Sequence, residues 1–495
     1  MPELHDSPQA LRARRLRRPG RARPGRTLPV LLCLAALLAG CAGESSRPAR
    51  DADGGLEVLF EGARLIVGDG NLLETGDLLV GGTRILAVGE SSEINTPVDA
   101  VRIDVAGKTI VPAFIDAHAH LGYEGYTEWG ADSYTRDNLI EHLNRYAYYG
   151  FGAVFSAGTD PTELASEIAR AQREGSLGGA RFLFAAGVGP PGQGPNNNFV
   201  GHTLTLAETT GMTILRGAAT PGEGRAVARE VAEAGIDFIK IWVDDRGGSQ
   251  DKLSPEVYRA IASEAAPRGI RVVVHQQSAD DMRDLLEAGV AGFLHGRLGP
   301  ALDEEVAASL RAAGAFLVPN LGLGELRSEA VGEDPFLQET VPPIVVERLR
   351  ADFESRMGGR SDSANGDASR IERERAEALA RLLALDADIV LGTDAGAAPN
   401  HFFGYTGHRE LEIFVRLGMT PMRALEAATS RPAAHLGLDE IGTLAKGKSA
   451  DFVILDENPL DDIRNTRAIA DVYLRGERID RDALRERWTA GNSSL

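Results

Sequence analysis

The chain has 495 residues, 43% of them hydrophobic and 25% charged, with 57 glycines and a formal net charge of −19. Such a composition supports a large globular core with room for a second, smaller domain, and excludes collagen-like, coiled-coil and wholly disordered chains. The acidic surface repels phosphate backbones, which argues against nucleic-acid binding.

Residues 1–40 read as a leader. A basic stretch ends at Arg26, and an apolar run of about eleven residues follows from Leu28, too short to span a bilayer and the length of a signal h-region. It ends in Leu38-Ala39-Gly40-Cys41, which looks like a bacterial lipobox with Cys41 as the lipid acceptor. The other cysteine, Cys33, lies within the apolar run, so a chain matured at Cys41 keeps no thiol for a disulfide. Residues 41–55 read as a flexible tether. The expected location is the cell envelope, lipid-anchored, with the outer membrane favoured because Ala42, not an aspartate, follows the cysteine.

Residues 56–109 carry short strand patterns separated by glycine turns, and residues 441–481 repeat that style before a short tail at 482–495. Between them, residues 110–440 alternate apolar runs with helical patterns, as parallel βα units do. Eight runs stand out: Ile110–Ile115, Ala153–Ser156, Arg181–Ala185, Phe238–Val243, Arg271–Val274, Ala291–Leu294, Ala315–Val318 and Asp388–Leu391. The expected fold is α/β: a (β/α)8 TIM barrel with a small β-sandwich built from both chain ends. The polar patch Gly358–Ser369 reads as a loop between helices.

Barrel enzymes keep their reactive groups at the C-terminal ends of strands. Here run one ends in His118-Ala119-His120, and positions i and i+2 of a strand share a face. Lys240 alternates with Ile239 and Ile241, so it faces inward. Runs five, six and eight end in His275, His295 and Asp394. A lone buried histidine is usually a satisfied core residue, a lone lysine can anchor substrate, and Asp394 alone could cap a helix. Four of the ten histidines gathered at strand ends with an acid and a lysine point instead to a metal site.

The stretches VPAFIDAHAH (111–120), DFIKIWVDD (237–245), VVVH (272–275), GFLHG (292–296), LGTDAG (391–396) and the tail from Gly418 to Leu460 resemble the amidohydrolase superfamily. The resemblance spans nearly the whole chain after the tether, and the subgroup it suggests is prolidase-like or imidazolonepropionase-like, with a lysine on strand four. It implies two divalent metal ions, with zinc suited to the donors. His118, His120 and Asp394 would hold one ion and His275 and His295 the other. Lys240, carboxylated by CO2, would bridge them as a carbamate. It further implies hydrolysis of an amide bond by a metal-bridging hydroxide, with Asp394 as the catalytic proton carrier. Ala113 replaces the usual glycine of the first motif. Gln276-Gln277-Ser278 follows His275 where deaminase relatives carry a glutamate, which argues against deamination.

Gly187-Val188-Gly189-Pro190-Pro191-Gly192 matches a dinucleotide fingerprint, but its prolines forbid the helix the fingerprint needs, so it reads as a barrel loop. No Gly-x-Ser-x-Gly elbow exists. His142 reads as a surface residue of a helix. Substrate contacts are expected from loops after the strands, with Arg246, Arg297, His202 and Gln276 as candidates. The expected substrate is a small amide such as a dipeptide or N-acyl amino acid. Two alternatives are a mononuclear cyclic-amide hydrolase, with Lys240 anchoring substrate, and a catalytically dead solute-binding lipoprotein. The sequence sets no oligomeric state.

Overall fold

A computed structural model describes residues 56–490 except 277, 297, 327–328 and 358–362; Cys41, the leader and Arg297 lie outside the described residues. From Glu57 the chain forms an antiparallel meander, Glu57–Ile66, Leu72–Gly81 and Arg84–Gly89. Thr109–Pro112 pairs with the first of these strands and with Phe452–Leu455 from the far end of the chain. Ile469–Leu474 and Glu477–Arg478 extend the sheet, which has eight strands in all. The sheet curls until its Arg84–Gly89 edge meets the segment before Phe452–Leu455, where Ile85 N–H donates to the Lys448 carbonyl and Ala450 N–H to the Thr83 carbonyl. Strand alternation turns Phe60, Leu65, Leu78, Ile110, Phe452 and Ile454 into the space so enclosed. Both chain ends thus build one small sandwich.

The expected first barrel run, Ile110–Ile115, is two elements. Its first half belongs to the sandwich, and the barrel begins with Phe114–Ala119. At the switch, Ala113 N–H donates to Asp451 of the sandwich and Phe114 N–H to Gly150 beside the second barrel strand. A continuous apolar run carries no mark of which sheet it pairs with, so this break is invisible to hydropathy.

The other barrel strands are Phe151–Ser156, Arg181–Phe184 continued by Ala186–Gly189, Phe238–Val243, Arg271–Gln276, Gly292–Leu294, Phe316–Val318 and Asp388–Ile389, all parallel. Ala117 N–H donates to the Leu391 carbonyl at 2.9 Å and Ala119 bridges Ala395, which closes the eighth strand on the first. Inward residues Ile115, Phe155, Phe238, Val273 and Phe316 fill the interior, and Leu436 and Ile441 plug its base. Ile239 and Ile241 face the outer helices, as alternation requires. Those helices start where caps dictate. Pro221–Glu233, for example, opens on a Thr220/Glu223 capping box with proline at its first turn.

Two expectations need correction. Ala186–Gly189 is strand, and the loop starts only at Pro190. Gly187 lies level with Lys240 on the neighbouring strand, and a Cβ there would fall 2.0 Å from the Gly158 carbonyl oxygen. The glycine serves close packing around the lysine, not a pyrophosphate. Of the Gly358–Ser369 patch, the residues from Ser363 onward open the helix Ser363–Ala384. Among the described residues no helix is long and apolar enough to cross a membrane.

Candidate metal centre and active-site cavity

Asp116, His118 and His120 alternate along the first barrel strand, with all three side chains buried. Asp116 lies deepest. Its carboxylate accepts from the N–H groups of His118 and Thr393, both at 3.1 Å, and from the hydroxyls of Thr393 at 2.6 Å and Tyr146 at 2.7 Å. Burial pushes its carboxyl up to about 6 in spite of those donors. It ties the first strand to the eighth just below Asp394.

Asp394 Oδ1 stands 3.3 Å from His118 Nε2 and 3.2 Å from His120 Nε2, and Oδ2 stands 3.7 Å from His295 Nε2. The opposite ring nitrogens are fixed from behind. His118 Nδ1 donates to Asn320 Oδ1 at 3.0 Å, and His120 Nδ1 meets Thr159 Oγ1 at 2.8 Å. The Nε2 atoms are therefore left to present lone pairs inward. Burial depresses His118 and His295 well below the usual imidazole range, so both are neutral near pH 7. Burial pushes the Asp394 carboxyl up, but the imidazoles of His295, His118 and His120 hold it well below the usual carboxylate range on balance.

Lys240 lies among these groups. Among the described residues its Nζ is buried without a hydrogen-bond partner, 5.7 Å from the Trp242 ring centroid, and burial pushes the ammonium down to about 7. His118 Nε2 and Asp394 Oδ1 are likewise buried without a hydrogen-bond partner. Buried polar atoms rarely go unsatisfied. Neutral imidazoles and a carboxylate converging on one point fit a divalent cation, and donor atoms of His118, His120 and Asp394 all lie within 4.8 Å of one another.

The remaining expected ligand is placed differently. The His275 ring lies 4.6 Å from that of His295, but its Nε2 contacts Asp244 Oδ2 at 2.9 Å and Arg246 Nη1 at 2.8 Å. The structure brings all six predicted ligands to one basin and gathers three into a tight set. Arg246 also donates to Asp244 at 2.9 Å and to the Gly194 carbonyl at 2.9 Å. Arg246 (φ 52°), His295 (φ 78°), Asn320 (φ 51°) and Asp394 (φ 60°) all adopt left-handed backbone, which costs a non-glycine residue free energy and clusters at functional sites.

A cavity of about 450 Å³ opens above this floor. Phe199, Trp242, Leu298 and Ile371 supply apolar wall, and Arg246 and Arg375 supply positive charge. Other expected substrate residues stand elsewhere. Gln276 follows His275 and so takes the opposite face of its strand, away from the cavity. His202 packs on Trp129 and accepts from Ala131 N–H at 3.2 Å, holding a loop. His142 is fully buried, contrary to expectation, where it accepts from Gly122 N–H and donates to the Glu124 carbonyl. Asp116 and Thr159 went unremarked in the sequence. Asp116 shares the His118/His120 face at i−2, a legible signal, whereas nothing in the sequence links Thr159 to His120.

Residues 109–479 match the amidohydrolase family, and the chain belongs to it. It is similar to an imidazolonepropionase of Streptomyces griseus subsp. griseus, 28% identical over 78% of this chain and 86% of that protein. It is also similar to an ochratoxinase of Aspergillus niger, 25% identical over 83% of this chain and 84% of that one. A solved structure of a proposed prolidase from Bifidobacterium longum is 26% identical, with a TM-score of 0.64 over 87% of this chain and 98% of that one. The protein is thus a metal-dependent hydrolase of carbon–nitrogen bonds in small molecules.

Proposed function

We propose that this hydrolase cuts the amide bond of a dipeptide or N-acyl amino acid at a two-ion centre, with Lys240 carboxylated. The observation that carries the reading is the Lys240 amine, fully buried among metal-donor side chains with no acceptor for its protons among the described residues. A neutral amine is the form that adds CO2: an Nζ–C bond forms, one proton leaves, and a buried base becomes an anionic ligand. His118, His120 and Asp394 would hold one ion and His275 and His295 the other; zinc suits the donors. Bound ions would polarise the scissile carbonyl and acidify water.

The protein's own groups do the rest. Asp394, held ionised, accepts a proton from the attacking water and passes it to the leaving nitrogen. Arg246 lines the cavity, where its positive charge can attract a substrate carboxylate while Nη1 and Nη2 stay on Asp244, His275 and Gly194. The apolar wall receives the side chain or acyl group and excludes water. We further propose a lipid anchor at Cys41 and a place in the cell envelope, which only the leader pattern supports.

A mononuclear cyclic-amide hydrolase is the second reading. It is favoured by the tight set of only His118, His120 and Asp394, and by the turn of His275 toward Asp244. Elemental analysis of the wild type and Lys240→Ala separates the two. Two metal equivalents falling to one support the proposal, and one equivalent in both supports the second reading. Turnover on a panel of dipeptides, N-acyl amino acids and lactams then decides the substrate class.

A further inference from the structure

Glu410 lies on the helix Tyr405–Arg416 that follows the eighth strand. Its carboxylate is fully buried, and among the described residues no cation lies within ion-pairing distance of it. It accepts two backbone donors, Leu321 N–H at 2.8 Å on Oε1 and Gly322 N–H at 2.6 Å on Oε2. Gly322 lets the carboxylate approach this closely, since a Cβ there would lie 3.1 Å from Oε2. A carboxylate buried without a counter-charge is costly, so its place needs a reason. Burial pushes its carboxyl up to about 8, and the two N–H groups oppose that rise.

Those N–H groups belong to the residues directly after Asn320. Asn320 follows the seventh strand, is buried, and adopts φ 51°. A side-chain amide can offer its oxygen to a ring N–H, and how the loop is held decides whether that amide reaches His118. With the loop clasped by Glu410, Oδ1 faces His118 Nδ1 at 3.0 Å. That contact requires a proton on Nδ1 and leaves Nε2 as the lone-pair nitrogen beside Asp394.

We propose that Glu410 is a positioning residue that sets the His118 tautomer through Asn320, and so sets how tightly His118 holds its ion. This inference rests on the reading of His118 as a metal ligand. Three variants of the full chain test it: Glu410→Gln, Asn320→Ala and their double. Zn²⁺ affinity, read by chelator competition, is expected to fall about 10- to 100-fold in each single variant, as loss of a partner behind a metal-ligating histidine does. The double variant should bind no more weakly than Asn320→Ala alone. In metal-stripped protein, ¹⁵N NMR should show the Nδ1–H tautomer of His118 in the wild type and a mixture in both single variants.

Losses that add in the double variant, or an unchanged tautomer in Glu410→Gln, would overturn the relay. Where the glutamine variant does not fold, Glu410→Asp keeps the carboxyl group and shortens the reach by one methylene. It should show a smaller loss that again vanishes in the Asn320→Ala background. A wild type that takes up no Zn²⁺ would overturn the proposed function instead, and the tautomer signal would still decide the relay.

Discussion

Replacing Lys240 by methionine should stabilise the metal-free protein while destroying the second metal position proposed above. Burial moves the lysine from 10.5 to about 7, so the folded chain binds fewer protons than the unfolded chain between those values. For a depressed base the sign is fixed. The full penalty is present below about pH 7, and stability rises with pH through the window up to 10.5. At about 1.4 kcal/mol per pH unit, the penalty near neutral pH is on the order of 4 kcal/mol. Methionine has nearly the same reach, fills the space and carries no charge to desolvate. Urea unfolding of chelated, CO2-free samples from pH 7 to 9 measures both effects. Lys240→Met should be more stable by several kcal/mol at pH 7, with the gap narrowing by about 1.4 kcal/mol per unit. Glu410, raised to about 8, contributes with the opposite sign over part of this range, so the difference between wild type and variant is the quantity to follow. A gap that is absent at pH 7, or that stays constant to pH 9, would refute the reasoning.

Two further outcomes are expected. Arg246→Met should raise KM about 10- to 100-fold for substrates bearing a free carboxylate and leave their methyl esters nearly unaffected, the range expected for a lost charge-assisted contact; equal losses on both would remove Arg246 from carboxylate recognition. Arg181 binds the buried Asp451 through Nη1 at 2.6 Å and Nη2 at 3.1 Å, across the seam between barrel and sandwich. Arg181→Ala should cost roughly 3 kcal/mol or more in denaturant unfolding, because it strands a buried carboxylate, and a loss below about 1 kcal/mol would mean that the seam does not depend on this pair.

What the sequence could carry follows from how each contact is encoded. A strand writes its facing into a period of two, so the sequence alone points His118, His120 and Lys240 inward, and parallel strands with helices between them place those ends at one mouth. The same period puts Gln276 on the far face from His275, so its place away from the cavity is legible too. Other placements have no such signal. Pro112 and Phe114 are apolar neighbours that pair with different sheets, and that choice is made by Phe452 and Phe151, far along the chain. His142 is buried because loop backbone groups at Gly122 and Glu124 need partners, a demand that arises only once the loop folds back. The supports of the metal donors are the most hidden of all. Asp116 reaches Thr393, and Glu410 reaches Leu321, only because closing the barrel brings its seventh, eighth and first strands side by side. Donor atoms can thus be read from residue type and spacing, whereas the groups that aim them are set by closure. Their substitution should therefore alter how the site holds an ion more than whether the barrel forms.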